Sequence, residues 1–385
     1  MAMRILVVDD EPDLEVLVRQ KFRRQVREGA FDLVFARNGA EALEVLSRDA
    51  SINIVLSDIN MPVMDGLTLL GKLTGLDRIL KAVIVSAYGD MQNIRIAMNR
   101  GAFDFVTKPI DFQDLEITIN RTLDEILALK RSLQERTQLN ALHEELNIAA
   151  RIQQSILPRV FPAFPDRSEF DVFASMTPAK EVGGDFYDFF LIDNVRLGFV
   201  IGDVSGKGVP AALFMAVCRT LLRATAMQAP SAGDCLQYVN KVLAAESDSA
   251  MFVTLFYGIL NSRTGELEFA VGGHNPPYLF SESRVEPLRF EGGMIVGIME
   301  MASYESQRIQ IQPGDGLFLF TDGVTEAANE ALEMFGEERL EAAVRSCAAQ
   351  PLPSVVSSVS EAVQKFVAGA PQADDLTILA VRYLG

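Results

Sequence analysis

The sequence predicts two folded domains of different class joined by a long helix. These are an α/β doubly wound five-stranded domain over 1–122, a helical coiled-coil linker over 123–157, and an α+β sandwich with α-β-β-α layering over 158–385. Three observations carry this reading. A chain of 385 residues exceeds one ordinary hydrophobic core. Short β-branched runs alternate with helical stretches in the first third, then give way to grouped strands and grouped helices. Between the two regimes, residues 112–157 contain neither proline nor glycine.

In the first domain the strand candidates are 4–8, 31–36, 52–57, 82–86 and 103–107. Their near-continuous apolar character indicates a parallel sheet covered on both faces, with helices in the intervening segments. From 112 onward long apolar residues recur at steps of three and four: Leu115, Ile119, Ile126, Leu129 and Leu133, then Leu139, Leu142 and Leu146. That spacing predicts one helix, or two joined end to end, and a stripe of this length outside a core is expected to pair with a second copy of the chain. Pro158, Pro162 and Pro165 end it. Beyond them strands are expected at 170–177, 186–192, 196–204, 251–260, 267–272 and 316–320, with helices at 210–227, 232–246, 337–348 and 353–367.

Composition narrows the class. A hydrophobic share of 49% with 23% charged residues is that of a soluble globular protein, and no wholly apolar run approaches the roughly 18 residues that span a bilayer. The opening apolar stretch is too short and too soon acidic for a secretory signal, so a cytoplasmic protein with no membrane association is expected. Cys218, Cys235 and Cys347 are scattered and odd in number, which reads as reduced packing residues. The net charge of -17 argues against nucleic acid as a partner. Most of the excess lies in 158–385, where 16 Lys+Arg face 29 Asp+Glu, the composition of a solvated acidic surface or of a domain that binds divalent cations.

Four strand ends of the first domain carry chemistry. Asp9 and Asp10 follow the first strand, Asp58 the third, Ser86 closes the fourth and Lys108 follows the fifth. The carboxyl ends of strands form the ligand crevice of an open α/β sheet, so these residues should converge. Adjacent carboxylates bind a hard cation such as Mg2+, with Asp9, Asp10 and Asp58 as ligands and the Asn60 main-chain carbonyl as a further one. Asp58 can then attack a phosphoryl group, which Lys108 pairs and Ser86 hydrogen-bonds. One such aspartate alone would be a helix cap or surface residue; four matching strand ends are not. The blocks Val7-Val8-Asp9-Asp10-Glu11, Ser57-Asp58-Ile59-Asn60-Met61-Pro62-Val63-Met64-Asp65-Gly66, Ser86-Ala87-Tyr88 and Asp104-Phe105-Val106-Thr107-Lys108-Pro109 resemble the response-regulator receiver family over 4–122. The resemblance implies Asp58 as phosphoacceptor, a histidine kinase as donor, and Ser86 with Phe105 as a switch pair, although Phe105 also suits a plain core position.

The second part sets acidic residues in glycine-bounded turns beside apolar strands: Gly183-Gly184-Asp185, Gly202-Asp203-Val204-Ser205-Gly206-Lys207-Gly208, Thr321-Asp322-Gly323 and Asp374-Asp375-Leu376-Thr377. Buried uncompensated carboxylates are prohibitive, and cations resolve that. Two divalent ions about 3.5–4 Å apart can activate water for in-line attack on a phosphate and offset its charge. A thiol route is disfavoured, because the sixth residue after each cysteine is Ala224, Lys241 or Pro353 rather than arginine. An isolated Asp-Gly is a turn dipeptide; this ordered set of four resembles the metal-dependent phosphatase 2C superfamily, and its sporulation stage II phosphatase E subgroup, over 166–385. That resemblance implies a serine/threonine phosphoprotein phosphatase with two Mn2+ or Mg2+. It implies Asp203 as the bridging catalytic ligand, Asp185, Asp322 and Asp374 completing the set, and the Val204 carbonyl as a backbone ligand. Asp375 is the alternative to Asp374, or a residue that orients a water on the metal. Lys207 stands where many members have histidine, and no early arginine clamp is evident; Lys180 could serve but reads first as a surface lysine. His274, in Gly272-Gly273-His274-Asn275-Pro276-Pro277, reads as a structural hydrogen-bonding residue rather than a general acid.

The segment from Glu145 to Pro158 also resembles the stretch preceding this phosphatase subgroup, and Gln153 interrupts its apolar spacing. Together these motifs imply a phosphorylation-controlled phosphatase, dimeric through its linker, acting on a phosphoserine or phosphothreonine protein such as an anti-sigma-factor antagonist. The rival readings are a non-catalytic phosphatase-like docking module, disfavoured by the intact carboxylate set, and a transcription factor, which lacks a basic recognition helix. A sensor kinase is disfavoured because no glycine-rich nucleotide site follows His143.

Overall fold

The computed structural model describes residues 3–87, 90–246 and 251–385; Tyr88 of the Ser86-Ala87-Tyr88 block lies outside the described residues. Two compact units are present, Met1–Leu142 and His143–Gly385.

The first unit runs β1 (Met3–Val8), α1 (Pro12–Lys21), α2 (Arg23–Arg27), β2 (Phe31–Ala36), α3 (Gly39–Arg48), β3 (Ile52–Asp58), α4 (Gly66–Leu73), β4 (Lys81–Ala87), α5 (Met91–Asn99) and β5 (Asp104–Lys108), then enters α6 (Phe112–Ile156). Its five strands form one parallel sheet in the order β2-β1-β3-β4-β5. Successive side chains of a strand point to opposite faces. Leu6 and Val8 accordingly join one core, with Ala42, Leu46 and Leu69, while Ile5 and Val7 join another, with Val18, Phe22 and Ile119. Burial on both faces is why the strands read as continuous apolar runs.

Leu115, Ile119 and Ile126 of α6 are buried in that second core, and Lys130 Nζ donates to Asn53 Oδ1 at 2.9 Å. The start of the apolar stripe therefore covers the unit's own sheet. Leu133, Leu139 and Leu142 farther along are exposed.

The second unit contains β6 (Phe170–Thr177), β7 (Phe186–Leu191), β8 (Arg196–Val204), α7 (Val209–Ala226), α8 (Ala232–Glu246), β9 (Val253–Asn261), β10 (Glu266–Gly272), β11 (Tyr278–Phe280), β12 (Val285–Pro287), β13 (Gln307–Gln310), β14 (Gly316–Phe320), α9 (Asp322–Glu326), α10 (Gly336–Cys347), α11 (Leu352–Val367) and β15 (Leu376–Tyr383). Two antiparallel sheets, β13-β10-β9-β8-β7 and β12-β11-β14-β15-β6, face each other. Phe199, Ile201 and Phe256 of one share a core with Leu317, Leu319 and Leu379 of the other. Helices α7 and α8 cover the first sheet. The outer face of the second packs Phe318, Phe320 and Ile378 under Leu340, Val355 and Val359 of α10 and α11. The layering is α-β-β-α. Strands β11, β12, β13 and β15 are additions to the expected set.

Helix α7 has 18 residues and a mean hydropathy of 1.3, so by length and composition it could cross a bilayer. Its setting is a packed one. Ala211, Met215, Cys218 and Leu222 face the core, and Arg219 and Arg223 pair at 2.9 and 3.1 Å with Asp188 of β7, which is fully buried. All three cysteines are free and buried, and burial pushes the Cys235 thiol up to about 12.

Candidate functional site

In the first unit the parallel register brings Val8 beside Ser57, Asp58 beside Val85 and Ala87 beside Lys108, which lines the named side chains along one sheet edge. Carboxylate oxygens of Asp9, Asp10 and Asp58 all lie within 4.8 Å of one another. Lys108 Nζ donates to Asp58 Oδ2 at 2.9 Å and Asp9 Oδ2 at 3.0 Å, and reaches Glu11 Oε1 at 3.3 Å. Burial pulls the Lys108 ammonium down, but hydrogen bonds and charges from Asp58 and Asp9 outweigh it and hold it above its ordinary value. Burial drives the Asp9 carboxyl up against the Glu11 N–H and Lys108, which pull it down. The remaining Asp58 oxygen, Oδ1, accepts from Ile59 N–H at 2.7 Å.

Two neighbours shape this edge. Ser86 Oγ is fully buried with no hydrogen-bond partner among the described residues, a donor left over for a ligand oxygen. Gly66 lies so close that a Cβ there would stand 2.1 Å from the Asp58 carbonyl oxygen, which leaves glycine as the residue that fits. Asn60 is exposed two residues beyond Asp58, and Phe105 is half-buried against the core.

In the second unit Asp185 precedes β7, Asp203 lies at the end of β8, Asp322 opens α9 after β14, and Asp374 precedes β15. Asp185 is buried, and Thr321 Oγ1 donates to its Oδ2 at 2.6 Å. Burial, then the Asp203 charge, drives the Asp185 carboxyl far above its ordinary range. Asp203 is pushed up to about 7 by burial first and by Asp322 next; a hydrogen bond with Asp185 pulls it down, and Asp374 adds repulsion. Asp322 is raised by burial and by Asp374, and Glu326 by burial and by Asp322. Asp185, Asp203, Asp322 and Asp374 therefore share one electrostatic environment, with Glu326 beside it. Among the described residues, the oxygens of those four aspartates do not form a group lying wholly within 4.8 Å as Asp9, Asp10 and Asp58 do, and ligands divided between two ions need not. Carboxyls that burial and mutual repulsion force toward protonation suit a divalent cation, which would restore their charged form.

The other predicted residues separate clearly. Asp375 is buried, and its carboxylate accepts from Ala179 N–H at 2.8 Å, Gly184 N–H at 2.7 Å and Asp185 N–H at 3.3 Å. Asp374 instead pairs with Lys207 Nζ at 2.7 Å on a half-exposed edge. The Val204 carbonyl faces Gly184, where a Cβ would lie 2.9 Å from its oxygen. Lys180 and His143 are exposed. His274 is buried between the sheets: its Nδ1 is 2.8 Å from Thr254 Oγ1 and its Nε2 3.1 Å from the Phe320 carbonyl oxygen. Burial lowers it to about 4, so it is neutral, donating to Phe320 and accepting from Thr254. Sequence reasoning gave no role to Thr321, adjacent to a named aspartate, or to Glu326, four residues beyond Asp322; their proximity to the site had no further sequence signal.

A groove of about 540 Å³ runs from Lys207, Glu326 and Asp374 to an apolar wall that includes Met334, Val363 and Val367. It adjoins the carboxylate cluster and offers room for a substrate.

Comparison with known proteins agrees with both halves. The family described as Response regulator receiver domain matches residues 5–120, and that described as Stage II sporulation protein E (SpoIIE) matches 193–384. The chain is 34% identical over 124 residues to Chemotaxis protein CheY of Bacillus subtilis, covering 32% of this chain and 100% of that protein. It is 31% identical over 265 residues to Protein IcfG of Synechocystis sp., with 62% of this chain covered, and 28% identical over 223 residues to Phosphoserine phosphatase RsbU of B. subtilis, with 57% covered. The chain spans 41% and 65% of the length of those last two relatives. The solved SiaA-PP2C domain of Pseudomonas aeruginosa superposes with a TM-score of 0.56 at 24% identity, over 64% of this chain and 98% of that one, a likeness of fold. With the strand-edge site of the first unit and the two-sheet carboxylate site of the second, the chain belongs to the response-regulator receiver family and carries behind its receiver a domain that matches the Stage II sporulation protein E (SpoIIE) family and shares the fold of the SiaA-PP2C domain.

Proposed function

We propose that the chain is a cytoplasmic response regulator whose output is metal-dependent hydrolysis of phosphoserine or phosphothreonine in a partner protein. The observation that carries the reading is the shared environment of Asp185, Asp203, Asp322 and Asp374, drawn from four separate turns: burial and neighbouring aspartate charges raise the first three, and the Asp374 charge is among those acting on Asp203 and Asp322. Asp203 is the bridging residue in this reading, Asp185, Asp322 and Asp374 complete the set with the Val204 carbonyl, and Asp375 holds the loop. Two Mn2+ or Mg2+ ions bound there supply charge neutralisation and an activated water. Thr321 keeps Asp185 oriented through its 2.6 Å hydrogen bond, and Lys207 sits at the rim beside Asp374. The phosphoserine-phosphatase name of the RsbU relative supports the substrate class, and a phosphorylated anti-sigma-factor antagonist is the substrate we favour.

At the other site Asp58 accepts the phosphoryl group of a histidine kinase. An oxygen of Asp58 bonds phosphorus as the phosphorus–nitrogen bond of phosphohistidine breaks. Asp9, Asp10, Asp58 and the Asn60 carbonyl would hold Mg2+, which offsets the incoming charge. Lys108, already within 3.0 Å of Asp58 and Asp9, exchanges part of that pairing for the phosphate, and the free Ser86 hydroxyl donates to it. The exposed Leu133, Leu139 and Leu142 support pairing of two chains through α6 as a coiled coil. A phosphorylation-dependent change in that pairing is the route we favour to the phosphatase domain.

The test is hydrolysis of para-nitrophenyl phosphate and of candidate phosphoproteins with Mn2+, before and after loading Asp58. Activity that depends on Mn2+, disappears in Asp203→Asn and changes on loading supports the reading. Activity untouched by Asp203→Asn would remove the proposed site, and equal rates in both receiver states would remove the regulation.

A further inference from the structure

The groove beside the carboxylate cluster is charged at one end and apolar at the other. Lys207, Asp374 and Gly323, the residue after Asp322, line the first end, and Met334, Val363 and Val367 the second. The loop that leads from α11 to Asp374 contributes the rest of the lining. Within that loop Gln372 spends its amide on the chain itself, Nε2 donating to the Thr177 carbonyl at 2.8 Å and to the Asp374 carbonyl at 2.7 Å. Among the described residues that line the groove none is aromatic, and beyond the charged end the only polar side chains are Gln364 and Gln372. Such a wall offers no stacking face and few hydrogen bonds, so it suits aliphatic side chains rather than a base or a sugar.

The rim is a hydrogen-bonded turn that holds apolar side chains out. Ala328 and Met334 pair across it, and Asn329 Oδ1 accepts from the N–H groups of Ala331 and Glu333 at 3.0 Å. Arg339 Nη1 donates to the Met334 and Phe335 carbonyls, also at 3.0 Å. The turn is thus tied to itself and to α10, yet Leu332 is 86% exposed and Met334 59%. Leu332 also has φ 62°, a left-handed conformation that leucine rarely adopts. A strained backbone that keeps an apolar side chain in solvent points to a surface used for binding. Methionine suits such a rim, because its flexible thioether adapts to the shape of a partner.

Continuity with the carboxylate cluster decides what lies in the groove. A phosphoserine presented to Asp203, Asp322 and Asp374 brings its own polypeptide to the charged end, where Lys207 supplies the sign opposite to a phosphate's. An apolar cavity of about 150 Å³ holds one benzene-sized group, so a groove of about 540 Å³ exceeds a phosphoserine side chain and has room for its neighbours. We propose that the groove is a specificity subsite for the phosphoprotein substrate: it takes an aliphatic side chain within a few positions of the phosphoserine, between Met334 on the turn and Gln364 and Val367 on α11. The inference rests on the reading of the cluster as a phosphoserine-processing site. It makes the fit of that neighbouring side chain, and not the phosphate contacts common to all substrates, the means of choosing among phosphoproteins.

The experiment uses the full chain with Mn2+ and short fluorescent peptides built around a phosphonate analogue of phosphoserine, which resists hydrolysis. A single leucine is moved through the positions on either side of the analogue in an otherwise polar peptide. Fluorescence anisotropy reads binding, and the matching phosphoserine peptides give kcat/KM. Met334→Lys places a charge on one wall, and Gln364→Trp fills the groove from the other; both positions are exposed, and thermal melts confirm folding. In the wild type, leucine at one position or two adjacent ones should tighten binding by about tenfold or more over the leucine-free peptide, the discrimination an apolar pocket gives. Both variants should lose that preference while hydrolysing p-nitrophenyl phosphate, which is too small to span the groove, at the wild-type rate. Equal affinity for every peptide, or a preference that survives in a folded variant, would overturn the inference, and p-nitrophenyl phosphate hydrolysis in the same sample would leave the enzymatic reading standing. A chain that hydrolyses no phosphoester yet shows the leucine preference, lost in both variants, would end the enzymatic reading and keep this one. A chain that does neither would overturn both.

Discussion

Replacing Asp375 and Asp374 one at a time by asparagine separates a carboxylate that holds the fold from one free to hold a cation. Asp375 accepts three main-chain N–H groups, from Ala179, Gly184 and Asp185, at 2.7–3.3 Å in a buried position. In Asp375→Asn the best orientation keeps the amide oxygen toward Gly184 and Asp185 and turns the NH2 toward the Ala179 N–H. One part-buried donor then loses its acceptor and two bonds lose their charge assistance, a cost of about 2–4 kcal/mol. Asp374 is half-exposed and paired with the half-exposed Lys207. A pair of that kind contributes about 0–1 kcal/mol, so Asp374→Asn should barely change stability. Urea unfolding in chelator, followed by tyrosine fluorescence, reads the right domain, because Tyr88 is the only one of seven tyrosines outside 158–385. The expected pattern is a large loss of stability in Asp375→Asn, and in Asp374→Asn a near-native midpoint that Mn2+ no longer raises. The reverse, with Asp375→Asn within about 0.5 kcal/mol of wild type and blind to Mn2+, would refute the assignment.

Two further outcomes follow from the geometry. Asp203 is raised to about 7, mainly by burial and then by Asp322, so between about pH 4 and 7 the metal-free folded chain keeps a proton that the unfolded chain has released. Stability in chelator should therefore fall as pH rises through that window, less steeply in Asp203→Asn; thermal midpoints across pH 4–8 check this, and identical slopes would contradict it. Gly66→Ala would place a Cβ 2.1 Å from the Asp58 carbonyl oxygen, so the Asp58 backbone must move. Phosphorylation by a small-molecule donor, followed by phosphate-affinity electrophoresis, should slow at least about tenfold, the order expected for misplacing a reacting group by about 1 Å; a wild-type rate would show that the close approach has no bearing on Asp58.

The receiver was legible because its parallel strands are buried on both faces: Ile5 to Val8 alternate between two cores and therefore read as one apolar run. Strand β15 was not anticipated, although Leu376–Tyr383 pairs with β14 on one side and the edge strand β6 on the other. A short buried apolar run has no period that separates strand from helix. Strands β11 and β12, three residues each, are too short to show one. The apolar stripe of α6 was visible, but not what each part covers. A helix lying on its own sheet and one paired with a second chain carry the same spacing, and Ile126 is buried while Leu133 is exposed. At the site, the glycine-bounded aspartates stood out as blocks. The bonds from Thr321 to Asp185 and from Gln153 to Gly183 cross 136 and 30 residues of chain, and no local pattern announces such a contact.

The central claim is that Asp185, Asp203, Asp322 and Asp374 gather a pair of divalent cations. Anomalous scattering from crystals grown with Mn2+ tests it without reference to activity. The account predicts two peaks in the C-terminal domain about 3.5–4 Å apart with Asp203 between them. Crystals that show Mn2+ at Asp9, Asp10 and Asp58 and no peak beside Asp203 would contradict it.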